Sequence, residues 1–340
     1  MKRYGHLYDK IISVDNLRLA DANARRGKRH NRSLDRHVSN READIQALHI
    51  ALRDHTYRTS PYNRFSVHEP KERIISSLPY YPDRIVHHAI VQVLEPIWRK
   101  TLTHNTFACI KGRGITACID YTAKCIRRHS SAERLYCLKF DIRKYYNSVD
   151  HDTLKSIIRR KIKDREVLAL LDEIIDSHEG LAIGNYTSQF FANIYLAYLM
   201  HHINEDLHLD AVEYADDIVI FADDKATLHD ALADIRNYIE SRLHLHIKDN
   251  WQIFPIADNR QDRRGRSLDY VGYCTYRHTR LLRKRIKRNL CRAISRLRHR
   301  LTTTAKEFKQ AIAPWIGWAR HCNSRNLFTH IIPQEYASII

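Results

Sequence analysis

The chain has 340 residues, enough to bury a core and to hold two or three subdomains. Its 57 Lys and Arg against 39 Asp and Glu give a formal net charge of +18, in an otherwise ordinary globular composition of 44% hydrophobic and 28% charged residues. Such a surplus favours a polyanionic partner, either nucleic acid or an anionic membrane, and with no apolar run long enough to cross a bilayer the expectation is nucleic acid.

The start, Met1-Lys2-Arg3-Tyr4-Gly5-His6, lacks the apolar core of a signal peptide. Seven cysteines are scattered singly, so neither a disulfide framework nor a zinc ribbon is indicated. The pairs His87-His88, His201-His202 and His244-x-His246 lack the spacing of a zinc site and read as surface and interface histidines that face phosphate. The expectation is a reduced, cytoplasmic protein that faces nucleic acid.

In chain order, residues 1 to about 60 read as helical and polar, with a basic knot at Arg25-Arg26-Gly27-Lys28-Arg29-His30 suited to a solvated loop or to backbone phosphate. In Glu69-Pro70-Lys71-Glu72-Arg73, Pro70 argues against a helix. Lys71 and Arg73, two apart, project from one face of a strand, where two cations make a triphosphate clamp. Helical spacing of Ile85, Val86, Ala89, Ile90, Val93 and Leu94 predicts a buried scaffold helix ended by Pro96. Lys111-Gly112-Arg113-Gly114 is a flexible basic loop suited to a phosphate backbone.

The stretch Tyr136–Phe140 reads as a strand that ends at Asp141, and Asp150 as the cap of a helix whose apolar face is Leu154, Ile157, Ile158 and Ile162. A glycine loop, Gly180 to Gly184, feeds a helix capped by Thr187 or Ser188 that carries Phe190, Phe191, Ile194 and Ala197 into the core.

The rest of the chain is organised around Glu213-Tyr214-Ala215-Asp216-Asp217-Ile218-Val219-Ile220-Phe221, which reads as two strands and a tight turn with two acids at its tip. Adjacent acids on a rigid hairpin repel each other unless a divalent cation lies between them, and oxygen ligands suit Mg²⁺ or Mn²⁺. With Asp141 brought in from another strand, the set suits two-metal phosphoryl transfer. By contrast, Asp223-Asp224 read as a turn and the cap of a helix over Lys225–Leu243. Beyond Thr279 the chain is very basic, with Arg283, Lys284, Arg285, Lys287, Arg288, Arg292, Arg296, Arg298 and Arg300. Ile286, Leu290, Ile294, Leu297 and Leu301 run through it at helical spacing, predicting a helix with one packed face and one face toward phosphate.

These blocks together resemble the reverse transcriptases. The resemblance rests on Lys71-x-Arg73, on Asp141 with Tyr146 five residues on, on the glycine–Ser188–Gln189 loop, on Tyr214-Ala215-Asp216-Asp217, and on Leu268-Asp269-Tyr270-Val271-Gly272-Tyr273, similar to a primer grip. It covers roughly residues 65 to 330. Within that superfamily the chain resembles the enzymes of diversity-generating retroelements. Relatives from group II introns and retrons carry Gln-Gly-x-x-x-Ser-Pro in the glycine loop, whereas here Ile183 stands at the glutamine and Gln189 at the proline. Trp315, Trp318 and Asn326-Leu327-Phe328 resemble the carboxy-terminal end of that group.

The resemblance implies an α+β right-hand polymerase. The N-terminal extension and fingers would span residues 1–135 and an antiparallel-sheet palm with helices on one face 136–278, with a fingers insertion at about 152–183. A basic helical thumb would span 279–340. It implies Asp141, Asp216 and Asp217 as catalytic metal ligands, with Ile142 in the same shell, for two Mg²⁺ (or Mn²⁺) ions. Lys71 and Arg73 would grip the deoxynucleoside triphosphate, Tyr146 would be the steric gate against a 2′-hydroxyl, and Ile183 and Gln189 would border the nucleotide. Lys248 is the candidate that protonates the leaving pyrophosphate, with a solvated lysine as its alternative. Lys111, Arg113 and the thumb cations from Arg283 to Arg296 would hold template RNA and the RNA–cDNA duplex.

A glutamine at 183 would hydrogen-bond the nucleotide or primer-template, whereas isoleucine offers only shape, which fits the family's low fidelity at template adenines. The resemblance further implies a structured template RNA, a small basic oligomeric accessory protein, mutagenic retrohoming and a bacterial, archaeal or phage source. Two departures are Glu213, where relatives often have arginine, and Ala182, where proline is common. On a strand Glu213 faces away from Tyr214 and Asp216 and is not expected to bind metal. The rival readings are a retron- or intron-type reverse transcriptase of ordinary fidelity, disfavoured by Ile183 and Gln189, and a non-catalytic RNA-binding protein, disfavoured by the three acids.

Overall fold

The computed structural model describes residues 2–28, 32–68, 72–298, 304–333 and 336. Lys71, the end of the basic knot (Arg29-His30), Arg300 and Leu301 lie outside the described residues.

Four helices open the chain: α1 (Tyr8–Ile12), α2 (Val14–Arg25), α3 (Arg32–Ser39) and α4 (Arg41–Arg53). A hairpin follows, β1 (Asn63–His68) with β2 (Glu72–Ser77), and then α5 (Ile85–Trp98). α5 buries Ile85, Val86, Ala89, Ile90 and Leu94 as the spacing predicts, but Pro96 lies inside its last turn and does not end it. The short β3 (Thr106–Phe107) and α6 (Ile115–Arg128) lead to β4 (Tyr136–Asp141), α7 (His151–Arg159), α8 (Arg165–Asp176) and α9 (Tyr186–His201). Next come β5 (Asp210–Tyr214), β6 (Asp217–Ala222), α10 (Lys225–Leu243) and β7 (Gln252–Pro255). A three-stranded antiparallel sheet of β8 (Leu268–Tyr270), β9 (Tyr273–Thr275) and β10 (Arg280–Leu282) precedes α11 (Lys284–Arg298), α12 (Ala305–Ala319) and α13 (Arg325–Ile331).

Local signals account for several boundaries. Asp150 accepts the Thr153 amide at 2.8 Å and Asp224 the Thr227 amide at 2.7 Å, so both serve as helix caps. α9 departs from the expected cap. It begins two to three residues earlier, at Tyr186 after Asn185, and Thr187 and Ser188 are buried inside it.

The central sheet has the order β3-β5-β6-β4-β7, antiparallel except for the β3–β5 pair. Alternation along the strands sends Leu138, Phe140, Ile218 and Ile220 into one core with residues of α9 and α10. The opposite set, Cys137, Val212, Val219 and Phe221, packs against Cys118, Cys125 and Ile126 of α6 and against Leu268 and Tyr270. Helices therefore cover both faces, not one. The continuous apolar run Ile218–Phe221 is the sequence sign of a strand buried on both sides. A third core joins Tyr273 and Leu282 to Leu290, Ile294, Phe308, Ile312 and Phe328, so α11 packs through its predicted apolar stripe.

Candidate active site

β5 and β6 form a hairpin in which Tyr214 pairs with Asp217, leaving Ala215 and Asp216 as a two-residue turn with Ala215 left-handed at φ 57°. β6 pairs on its other side with β4, and in that register Asp141 lies directly opposite Asp217. The last residue of one strand and the first of its neighbour are thus both acids, with Asp216 beside them. Two lysines attend them. Lys248 Nζ donates to Asp141 Oδ2 at 2.5 Å, and Lys139 Nζ donates to Asp217 Oδ2 at 3.2 Å. The Lys248 amide also donates to the Asp141 carbonyl at 2.9 Å, and Tyr270 OH donates to the Asp217 carbonyl at 2.9 Å, so both acid-bearing backbones are tied.

Burial raises the Asp216 carboxyl well above the usual carboxylate range, and its hydrogen bond and like charge with Asp141 raise it further. Burial raises Asp217 as well, with Lys139 working in the opposite direction. Asp141 Oδ1 and Asp217 Oδ1 are buried without a hydrogen-bond partner. Buried, mutually repelling acids with open oxygens fit a hard divalent cation. Among the described residues, no three His, Cys, Asp or Glu side chains are gathered into a ready metal cage.

Beside the acids opens a cleft of about 450 Å³, whose lining brings together Arg73, Ile142, Tyr146, Ile183, Gln189, Asp216 and Lys248. These come from five separate stretches of chain. Gly180 makes part of this possible: at φ +60°, a Cβ there would meet the Tyr146 carbonyl oxygen at 2.5 Å. The Leu181 amide donates to that same carbonyl at 2.7 Å, fixing the Tyr146 backbone under the loop. Ile142 contributes a fully buried side chain and an isolated bridge to Ile247.

The sequence reading missed two cations of the cleft, Arg84 and Lys144. Arg84 was hidden at the start of an apolar helix, and its only signal was a charge next to a run that otherwise packs. Glu213 faces the α9 side of the sheet, fully buried, and accepts from Thr106 Oγ1 at 2.8 Å. Burial pushes its carboxyl up to about 8, against the pull of that hydrogen bond.

Lys111 and Arg113 are not part of the cleft. Arg113 Nη1 donates to the Thr103 carbonyl at 2.6 Å, so this arginine braces its own loop, while Lys111 is exposed. Lys284, Arg285, Lys287, Arg288, Arg292 and Arg296 are exposed along α11, and Arg283 is tied to Asp269 at 2.5 Å.

A largely antiparallel sheet bearing acids on a hairpin turn and at the facing strand end, with a cation-lined cleft alongside, is the palm of a right-hand polymerase fold. Residues 67–251, more than half of the chain, match the family described as reverse transcriptase (RNA-dependent DNA polymerase), and the protein belongs to that family. Among curated relatives, the group II intron-encoded protein LtrA of Lactococcus lactis subsp. cremoris is 24% identical over 168 residues, 46% of this chain and 27% of that protein. Nuclear intron maturase 1, mitochondrial, of Arabidopsis thaliana is 29% identical over 101 residues, 29% of this chain and 14% of that protein. Protein YkfC of Escherichia coli strain K12 is 22% identical over 174 residues, 48% of this chain and 46% of that protein. The chain therefore spans less than half the length of each.

The telomerase of Candida tropicalis, solved with a TWJ fragment of telomeric RNA, superposes with a TM-score of 0.51 at 11% identity, over 80% of this chain and 56% of that one. The Candida albicans telomerase with the same kind of fragment gives 0.50 at 11% identity, over 82% and 57%. At that identity the likeness is one of fold. Among the described residues, no helix is long and apolar enough to cross a membrane.

Proposed function

We propose that this protein is an RNA-directed DNA polymerase that extends a primer 3′-hydroxyl with deoxynucleoside triphosphates on a structured RNA template, with errors concentrated at template adenines. The observation that carries the chemistry is the Asp141–Asp217 cross-strand pair with Asp216 on the adjoining turn. Asp141, Asp216 and Asp217 would hold the Mg²⁺ (or Mn²⁺) ions, with Ile142 alongside. When bound, the cations supply charge neutralisation at the transferring phosphate and a lowered pKa at the attacking hydroxyl.

The chain's own groups do the rest. Arg73 and Arg84 on the cleft wall bind phosphate, with Lys71 two residues before Arg73 in sequence. The Tyr146 ring occupies the space a ribose 2′-hydroxyl would need. Lys248, already donating to Asp141, stands within the cleft to give a proton to the leaving pyrophosphate. The exposed cations of α11 suit the backbone of an RNA–cDNA duplex. Ile183 supports the mutagenic reading, because it presents an apolar side chain to the cleft where a hydrogen-bonding group would check the nucleotide. A small basic oligomeric accessory protein and a role in mutagenic retrohoming belong to the same reading.

A second reading is favoured by the relatives whose names mark them as intron-encoded or intron maturases. In it the chain is an intron-type reverse transcriptase of ordinary fidelity. Primer extension on a defined RNA template with Mg²⁺, followed by sequencing, separates the two. Errors clustered at template adenines support the first, and evenly sparse errors the second. Absence of any DNA with cognate RNA and accessory protein supplied would count against both.

A further inference from the structure

Two lysines attend the acids, and only Lys248 has a part in the reading above. Lys139 lies on β4 two residues before Asp141, so the pleat puts both side chains on one face of the sheet. On that face the neighbouring strand presents Asp217 opposite Asp141 and Val219 opposite Lys139. Three groups fix the Lys139 ammonium. It donates to Asp217 Oδ2 at 3.2 Å and to the Asp269 carbonyl at 2.8 Å, and it stands 5.4 Å from the centre of the Tyr270 ring. The side chain is 25% exposed.

A lysine held only by a solvated carboxylate is a loose ion pair of little consequence. Here the shorter bond goes to a backbone carbonyl of β8, so the charge stays beside Asp217 whatever that carboxylate does. Tyr270 belongs to the same anchor, because its ring faces the ammonium while its hydroxyl donates to the Asp217 carbonyl at 2.9 Å. Asp269 in turn holds Arg283, just before α11, through its carboxylate.

The two cross-strand acids are served alike. Each gives Oδ2 to a lysine and keeps Oδ1 buried with no hydrogen-bond partner. A carboxylate bound in this way is compensated enough to be buried and still has an oxygen to offer. A fixed ammonium has a second effect, since it repels any further cation at the same carboxylate. We propose that Lys139 is an internal counter-ion for Asp217, a positioning residue that supplies the missing charge when no divalent cation is bound and weakens the binding of one that arrives. The inference rests on the polymerase reading and concerns how its acids are kept ready for metal.

The test needs no synthesis. Mn²⁺ is titrated into the protein without nucleic acid or nucleotide and the free ion is read by electron paramagnetic resonance. Only the binding that Asp217→Asn abolishes is counted. Lys139→Met and Lys139→Gln should bind Mn²⁺ roughly five- to tenfold more tightly than wild type, as expected when one nearby positive charge is removed. Lys139→Arg, which keeps the charge, should stay within about twofold. The metal-free melt should move the other way, lower in Lys139→Met than in wild type, with the gap closing as Mn²⁺ is added. Lys139→Gln still offers an amide donor to the Asp269 carbonyl, so it carries the test if Lys139→Met does not fold. A melt lowered equally with and without Mn²⁺, at unchanged affinity, would make Lys139 a packing residue and overturn the proposal. Weaker binding in both neutral variants overturns it too. Wild type with no Mn²⁺ binding sensitive to Asp217→Asn sinks the metal reading of the acids along with it, whereas wild-type binding that the neutral variants leave unchanged overturns this inference alone.

Discussion

The backbone amide of Ser76 donates to the carbonyl of Ile183 at 2.9 Å, joining the strand that bears Arg73 to the loop that borders the cleft. Ser76 Oγ also lies 2.9 Å from His178 Nε2, and Tyr62, which meets that ring edge-on, accepts from Asn185 Nδ2 at 2.8 Å. Hairpin and loop are one unit. Its tightest point is Gly184, at φ +136°, where a Cβ would stand 2.6 Å from the Ser76 carbonyl oxygen.

Gly184→Ala should therefore part the two. The strain is about 1–3 kcal/mol, and we expect nucleotide insertion to fall at least tenfold while duplex affinity changes little. Ser76→Ala, which loses only the contact with His178, should cost about 1 kcal/mol and leave insertion within threefold. Single-nucleotide insertion kinetics with a melt of each variant decide it. A Gly184→Ala protein with wild-type kinetics would show that strand and loop are not coupled.

Asp216→Asn should abolish synthesis, by about 10³-fold or more, as expected when a carboxylate that would hold the charge-neutralising cations is removed. It should also make the metal-free protein more stable. A carboxyl whose folded pKa is raised opposes folding once pH exceeds its ordinary value, and the amide removes that opposition. The expected rise in Tm without divalent ion is about 2 °C or more, and it should shrink or reverse when Mg²⁺ is added. An unchanged rate would remove Asp216 from the chemistry, and a lower metal-free Tm would contradict the electrostatics.

How much of this was legible in the chain follows from how local each signal is. The hairpin with its acid tip, the strand ending at Asp141 and the helix Lys225–Leu243 with its Asp224 cap depend on neighbours within a few residues, and each stands where pattern and turn chemistry put it. The cap of α9 was misread because Thr187 and Ser188 have the right side chains, yet tertiary packing buries them and starts the helix at Tyr186. Arg113 looked free for phosphate, and only the fold places the Thr103 carbonyl 2.6 Å from its guanidinium. Packing on both faces of the sheet was written in Ile218–Phe221 but read as one face, since α6 lies almost a hundred residues away. Arg84 carried no periodic or motif signal at all. Its position on the cleft wall is a property of the assembled molecule.

Ile183→Gln returns a hydrogen-bonding side chain to the cleft wall. If Ile183 is why template adenines are misread, the variant should lower misincorporation opposite adenine by up to about tenfold, the worth of one neutral hydrogen bond made only to a correct pair. Errors opposite the other three bases should move less than twofold. Deep sequencing of cDNA from matched reactions measures both. Equal change at all four bases would assign Ile183 to general fidelity, and no change would take the adenine effect elsewhere.

His37 supplies a test of stability away from the cleft. Its ring is 1% exposed, with Nδ1 2.7 Å from Asp44 Oδ2 and Nε2 3.3 Å from Asp21 Oδ1. Asp21 is itself fully buried against Arg41 at 2.6 Å, Arg25 at 3.0 Å and the Tyr80 hydroxyl at 2.8 Å, which fastens α2, α3 and α4 to the segment leading into α5. Burial works against the imidazolium, but the carboxylates of Asp21, in ion-pair contact, and Asp44, in a hydrogen bond, outweigh it and raise the His37 pKa above its ordinary 6.5. A raised histidine stabilises the fold fully below 6.5 and loses that contribution as pH rises through the folded value. Asp21, held below the usual carboxylate range, stays ionised across this window and does not confuse it. His37→Gln should thus be less stable than wild type by about 3 kcal/mol at pH 6, with the gap narrowing steadily toward pH 9. Urea midpoints of the two proteins at each pH cancel the histidines they share. A gap that is constant with pH would mean that His37 acts through packing alone, and one that widens would reverse the sign of its charge.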